Sequence, residues 1–200
     1  MPEYVFFPRG ALFLPILEPS GRYRDTKIEL RTRADNPIEN TQVCEHSKFE
    51  WHLLGETLER FKNAEQVSEA CPVYNCHGLT FGSRRTQISP PIFSILEDDG
   101  FDKVASEKDV RPGDIVIYSD VRGEVTHSGF VVWRKKVELV PGTHTVIPMV
   151  WSKWGKGYEM IHAVGECPYF EAIGDVVTYY RLKRWIPGRQ PSAQQSVLVL

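Results

Sequence analysis

Cys76 lies in Tyr74-Asn75-Cys76-His77-Gly78-Leu79, where an extended approach after Pro72 gives way to a helical pattern. Asparagine is a good N-cap, so Cys76 is predicted to be the first residue of a helix running to about Arg85. A thiol at that position meets unpaired amides and the positive end of the helix dipole, and both favour the nucleophilic thiolate. Two strand-like stretches downstream carry imidazoles, His127 in Val125-Thr126-His127-Ser128-Gly129 and His162 in Met160-Ile161-His162-Ala163. An imidazolium across a cleft stabilises a thiolate and later protonates a leaving amine. The order of parts is that of a cysteine nucleophile (Cys76), a base (His127) and a group that orients the base (His162).

Neighbouring residues would complete such a site. The backbone amide of Cys76 supplies one oxyanion donor. His77 is a weaker candidate for the base and is expected to line the pocket or donate to the oxyanion. Strict alternation places His127, Gly129, Val131 and Trp133 on one face of a strand, with Gly129 leaving room for a facing helix. Ser152-Lys153-Trp154-Gly155 reads either as a substrate loop, with Trp154 against the substrate, or as a tight hairpin. His144 reads as a turn residue, and His46 and His52 as solvated.

The other thiols read as bystanders. Four cysteines in 200 residues make no disulfide framework, and Cys44, Cys71 and Cys167 are expected to be buried free thiols. No Cys-x-x-Cys occurs, and Cys44-Glu45-His46 and Cys76-His77 lack zinc-site spacing, so neither metal nor organic cofactor is expected.

The elements that must position these groups come in two blocks. Ser47-Lys48-Phe49-Glu50 has the capping-box pattern, and apolar residues at helical spacing predict a helix over 48–69. Lys27–Thr32 alternates like a strand. Pro90-Pro91 opens a segment whose Ile92–Leu96 predicts a short helix, with a turn at Asp98–Gly100. From Asp114 the period becomes two, predicting strands Ile115–Tyr118, Val125–Trp133, Thr145–Trp151, Tyr158–Ala163 and Asp175–Arg184. Helices first and an antiparallel meander second make one α+β domain, with residues 1–46 as an N-terminal extension, 47–186 as the core and 187–200 as a flexible tail.

Composition fits a globular protein, with 42% hydrophobic and 25% charged residues. A net charge of −2 argues against a nucleic-acid surface built on bulk charge. No apolar run is long enough to span a bilayer, and Ala11–Leu17, broken by Pro15 and followed by no small-x-small site, is a poor signal peptide. Synthesis in the cytoplasm without a cleaved leader is the expectation.

The ordered set Asn75-Cys76-His77-Gly78, Pro112-Gly113-Asp114-Ile115, His127-Ser128-Gly129 and Met160-Ile161-His162-Ala163 resembles the NlpC/p60 superfamily of papain-like cysteine peptidases and amidases, over roughly residues 70 to 185. That family typically reads Asp-Cys-Ser-Gly, Pro-Gly-Asp-Leu, His-Val-Gly and Ile-His-Ala. The resemblance implies N-terminal helices packed on a central antiparallel sheet, Cys76 as nucleophile, His127 as base and His162 as orienting partner. It implies that Tyr74 shapes the pocket, with Asn75 and His77 standing where the family has aspartate and serine. Residues Arg134 to Lys156 form an insertion between the base strand and the His162 strand. The implied substrate is the peptide stem of bacterial peptidoglycan. A leaderless wall hydrolase suggests an antibacterial effector, carried by a type VI secretion system into a target periplasm and matched by a cognate immunity protein. The alternatives are a papain-like acyltransferase, deamidase or protein isopeptidase, and a catalytically silent binding domain of the same fold.

Overall fold

The computed structural model describes residues 23–24, 27–43, 45–89, 91–170 and 172–183. Cys44, Pro90, Arg184 and the tail after it lie outside the described residues. The elements are β1 (Tyr23–Arg24), β2 (Asn40–Val43), α1 (Lys48–Arg60), β3 (Glu65–Gln66), α2 (Cys76–Gly82), β4 (Gln87–Ile88) and α3 (Ile92–Asp98). They continue with β5 (Phe101–Lys103), β6 (Ile115–Ser119), β7 (Val125–Val140), β8 (Thr143–Lys153), β9 (Glu159–Ala163) and β10 (Val176–Leu182). The chain is therefore α+β, with helices preceding a largely antiparallel sheet.

Capping chemistry sets the helix starts. Ser47 and Glu50 close the expected box, Ser47 Oγ accepting from the Glu50 amide (3.1 Å) and the Glu50 carboxylate from the Ser47 amide (2.7 Å). The first helix ends nine residues before the predicted Glu69. Phe61 leaves helical geometry, and Glu65–Gln66 is captured as a strand by Ile161 and Met160 of β9. Lys27–Thr32 is no strand either; only Arg31 makes an isolated bridge, to Pro37. Part of the expected N-terminal extension belongs to the core: Ile38 and Val43 are buried, and β2 joins β1 and β4 in a small sheet.

The large sheet has the order β3-β9-β8-β7-β6-β10-β5, every pair antiparallel. Its entry turn is locked by Asp114, whose carboxylate accepts from the Arg111 amide and from both Nε and Nη2 of Arg181, each at 2.7 Å. Gly113, at φ 91°, supplies the left-handed residue that turn needs.

Two apolar cores lie on opposite faces. Ile115, Ile117 and Phe130 face Ile88, Ile92, Ile95 and Leu96 on the side of α2 and α3. Val116, Tyr118, Val131 and Val150 face Cys167, Tyr169 and Phe170 on the other. The 134–156 insertion is chiefly a long hairpin: β7 and β8 continue past their neighbours to the Pro141-Gly142 turn and return, so His144 sits on β8 opposite Glu138. A register shift between Val131 and Trp133 breaks the alternation, and Trp133 is exposed rather than sharing the His127 face. Among the described residues, no helix is long and apolar enough to cross a membrane.

Candidate active site

Asn75 explains why α2 starts at Cys76. Its Oδ1 accepts from the amides of Gly78 (2.8 Å) and Ile88 (3.1 Å), while its Nδ2 donates to Ile88 O (2.9 Å). A carboxylate could cap the helix but could not make the donation, so the amide ties α2 to β4. These bonds occupy Asn75 within the fold. Gly78 is required by proximity, since a methyl group there would overlap the Thr86 carbonyl.

Cys76 is 6% exposed, and the backbone N–H groups of Ser128, His77 and Cys76 itself lie near enough to its sulfur to favour the thiolate. The Ser128 amide is free to reach it because pairing of β7 with β8 begins one residue later, at Gly129↔Ser152. The thiol thus fits the notch where the two strands part, next in space to the residue that follows His127. Burial pushes the thiol up to about 11, against the opposing pull of those amides and of the Lys153 charge.

His127 pairs with Tyr118 across β6 and β7 and shares its face, on the side of the second core. Its ring stacks on Tyr169 at 4.2 Å and 10°. Both ring nitrogens are buried and, among the described residues, neither has a hydrogen-bond partner. Burial, aided by repulsion from His162 and His77, holds its pKa well below the ordinary value. Burial thus favours a neutral thiol and a neutral imidazole, and among the described residues no hydrogen bond joins them, in contrast to the thiolate–imidazolium pair expected from sequence. Gly129 makes room for β8 and not for a helix: a Cβ there would lie 2.7 Å from Trp151 O and 2.8 Å from Ser152 Cβ.

His162 pairs with Val150 and points to the same face as His127. Its nitrogens are engaged elsewhere, Nε2 with Ser152 Oγ (2.8 Å) and Nδ1 with Ala163 O (2.8 Å), so it makes no hydrogen bond to His127. Burial lowers its pKa to about 4. The two imidazoles nevertheless converge over the small side of β8, and a third donor meets them: one ligand atom each of His127, His162 and Cys167 lie within 4.8 Å of one another.

The other expected site residues line the opposite face or the rim. Tyr74 is buried and donates to Glu159 Oε1 at 2.5 Å. His77 is buried, its Nδ1 2.8 Å from Ser128 Oγ, and burial lowers its pKa to about 4. Trp154 belongs to a tight turn closed by Trp154 N–H to Tyr158 O and Gly157 N–H to Trp154 O. It is 4% exposed, its ring 5.6 Å from that of His162 and its indole N–H unpartnered among the described residues. Cys71 is half-buried and free, and Cys167 fully buried. His46 is half-buried, with Nε2 2.8 Å from Lys156 O, whereas His52 is exposed beside Glu56.

Sequence reasoning missed four residues. Lys153 is fully buried, its ammonium 4.3 Å above the Tyr74 ring and donating to Gly157 O, and burial brings its pKa down to about 8. Glu159, 2% exposed, accepts from Tyr74, from Arg84 Nε and Nη2 and from Trp151 Nε1. Burial would raise its pKa, yet those donors hold it below the ordinary carboxylate value. Tyr169 lies against His127 and is close enough to Cys76 and Cys167 for their charges to act on its hydroxyl. Cys167 reads as a bystander in the sequence, yet it meets both imidazoles. The tripeptide Cys167-Pro168-Tyr169 was the available signal: a thiol and an aromatic fixed by proline five residues after His162. No protein-family model, curated protein or solved structure matches the chain.

Proposed function

We propose that this protein is a cysteine hydrolase of amide bonds, with Cys76 as nucleophile and His127 as general base. One observation carries the reading. The Cys76 sulfur, at a helix start, lies near the N–H of Ser128, the residue next to a buried imidazole that has no hydrogen-bond partner among the described residues. An unsatisfied buried imidazole costs about 1 to 3 kcal/mol, which is expected where a proton must be received and not where packing alone matters.

In this scheme the S–H proton passes to neutral His127 as sulfur bonds to the substrate carbonyl carbon. The proton then goes to the amine as the C–N bond breaks. Water, deprotonated by the same imidazole, releases the acid and restores the thiol. The amides around the sulfur are placed to receive the charge that develops there. Tyr169 lies flat on the imidazole, so substrate entry requires the 166–170 segment to move. His162 holds its ring through Ala163 and Ser152 and serves as a neighbour to the base.

The substrate we propose is the stem peptide of peptidoglycan, on the resemblance of the Cys76, His127 and His162 motifs to wall amidases. The route we propose is delivery into a target periplasm as an effector, with an immunity protein that blocks the cleft. Digestion of purified sacculi by wild type and by Cys76→Ala, with muropeptides separated by mass, tests the reading. New fragments from wild type alone support it. No fragments, together with a Cys76 that stays inert to thiol probes up to pH 10, overturn it.

A further inference from the structure

The face of β7–β9 opposite α2 carries a group of side chains that the hydrolase scheme does not use in full. His127 on β7 and His162 on β9 flank the small residue Ser152 of β8, and Cys167 comes down on them from the segment after β9. All three are 0% exposed. We propose that His127, His162 and Cys167 bind a divalent transition metal of the zinc class.

Three independent features support the site. The first is convergence: the donor atoms lie within 4.8 Å of one another. Tetrahedral zinc with nitrogen and sulfur ligands separates its donors by about 3.3 to 3.6 Å, so each must move inward by about 0.7 Å, within reach of small side-chain rotations. The second is need. Both His127 nitrogens are buried without a partner, which an apolar neighbourhood does not explain. The third is orientation. With Ala163 O accepting at 2.8 Å, His162 Nδ1 carries the proton and Nε2 the lone pair, the arrangement that a backbone carbonyl imposes on metal-ligating histidines. The Ser152 hydroxyl holds that lone pair at 2.8 Å and would give it up to the metal.

Two imidazoles and a thiolate select zinc or a similarly soft ion over magnesium or calcium. Binding converts the Cys167 S–H to an S–metal bond and releases one proton. A water is left for the fourth position. The ligands come from three separate segments, which is why no linear zinc spacing announces them. The site rests on these side chains alone. Its consequence rests on the hydrolase reading: a metal on His127 removes the base, so zinc is an inhibitor and a chelator an activator.

The test uses the full chain, stripped with a chelator and titrated with cobalt(II), then with zinc in competition. One equivalent bound, with a thiolate-to-cobalt charge-transfer band, is expected. The band should vanish in Cys167→Ser and persist in Cys76→Ser, and affinity should fall by at least about 100-fold in His162→Ala. A band that survives in Cys167→Ser, or no band in wild type, overturns the site. Ser152→Ala alters no ligand and removes the competing hydroxyl, so it should bind cobalt at least as tightly as wild type; weaker binding in this variant also overturns the site. Cobalt binding by a protein whose metal-free form neither digests sacculi nor reacts with thiol probes at Cys76 would remove the hydrolase reading and leave the metal site. Hydrolysis without cobalt binding would do the reverse.

Discussion

Two buried polar clusters lie back to back on β8 and β9, and they are built on opposite rules. On the α2 face, Glu159 is almost fully buried and receives four hydrogen bonds, from Tyr74, Trp151 and both arms of the Arg84 fork. On the other face, His127 is completely buried and receives none. The first cluster is saturated even at the expense of backbone comfort: Ser83 and Arg84 both adopt left-handed geometry, at φ 51° and 63°. That conformation costs roughly 1 to 2 kcal/mol per residue and turns Arg84 back onto Glu159 and Trp151. A saturated buried network specifies one arrangement, whereas unsatisfied groups remain available for chemistry. On the proposed reading, the saturated cluster is scaffold and the unsatisfied imidazole is the group left available for chemistry.

The comparison breaks most visibly in activity. His127→Leu should abolish hydrolysis, by roughly 10^4-fold on the scale of catalytic-base removal. Because the imidazole makes no hydrogen bond, the same change should leave denaturant stability equal or raise it by about 1 kcal/mol. A loss of stability in this variant would show the ring to be structural. Glu159→Ala should do the opposite. Leaving the buried Tyr74 hydroxyl and the Trp151 N–H without their acceptor should destabilise the protein by about 2 to 3 kcal/mol, the half-exposed Arg84 regaining water, read from the urea midpoint. If Glu159→Ala unfolds no earlier than wild type, the saturated cluster is not the scaffold.

Titration sharpens the contrast. His77 is buried and neutral, with a pKa lowered from 6.5 to about 4. The unfolded chain therefore binds the extra proton between those values, and stability rises with pH across that window. The melting temperature should fall as pH drops from 6.5 towards 4, and His77→Gln should flatten that part of the profile. A His77→Gln profile as steep as wild type would remove this residue from the account.

Cys76, held protonated by burial with a pKa near 11, should alkylate about tenfold faster per pH unit from 7 to 10, as the thiolate fraction grows. Mass mapping of iodoacetamide adducts reads this directly. Tyr169→Ala, by uncovering the notch, should speed the reaction several-fold at every pH. A rate already flat at pH 7 would mean that a thiolate is present in the free protein.

Much of the frame is legible in the residues. The Ser47–Glu50 box, the Asn75 cap and the Pro112-Gly113 and Pro141-Gly142 turns are local signals with local causes, and each falls where the pattern says. The ends of elements are less legible. Helical periodicity persists past Arg60, but β9 offers Glu65 and Gln66 a ladder, and tertiary pairing outweighs propensity. Most of β7 beyond Trp133 is solvent-exposed on both faces, so no alternation marks it. Of the candidate site, Cys76, His127 and His162 stand out as types in order, whereas Cys167, Lys153 and Glu159 do not. Their roles come from what the fold sets beside them, and a buried thiol reads the same in sequence whether or not two imidazoles face it. Asn75 is the instructive middle case: visible as a cap, invisible as the donor that ties α2 to β4.

The long hairpin has a consequence of its own. Beyond Val131 the ribbon has no β6 beside it, and β9 turns away after Ala163, so residues 132–147 are fastened only at their base. The pairs that align the two histidines, Gly129 with Ser152 and Val150 with His162, lie beneath that base. Its amide protons should exchange with solvent independently of the body, and its length can drift between lineages without shifting the reactive groups below.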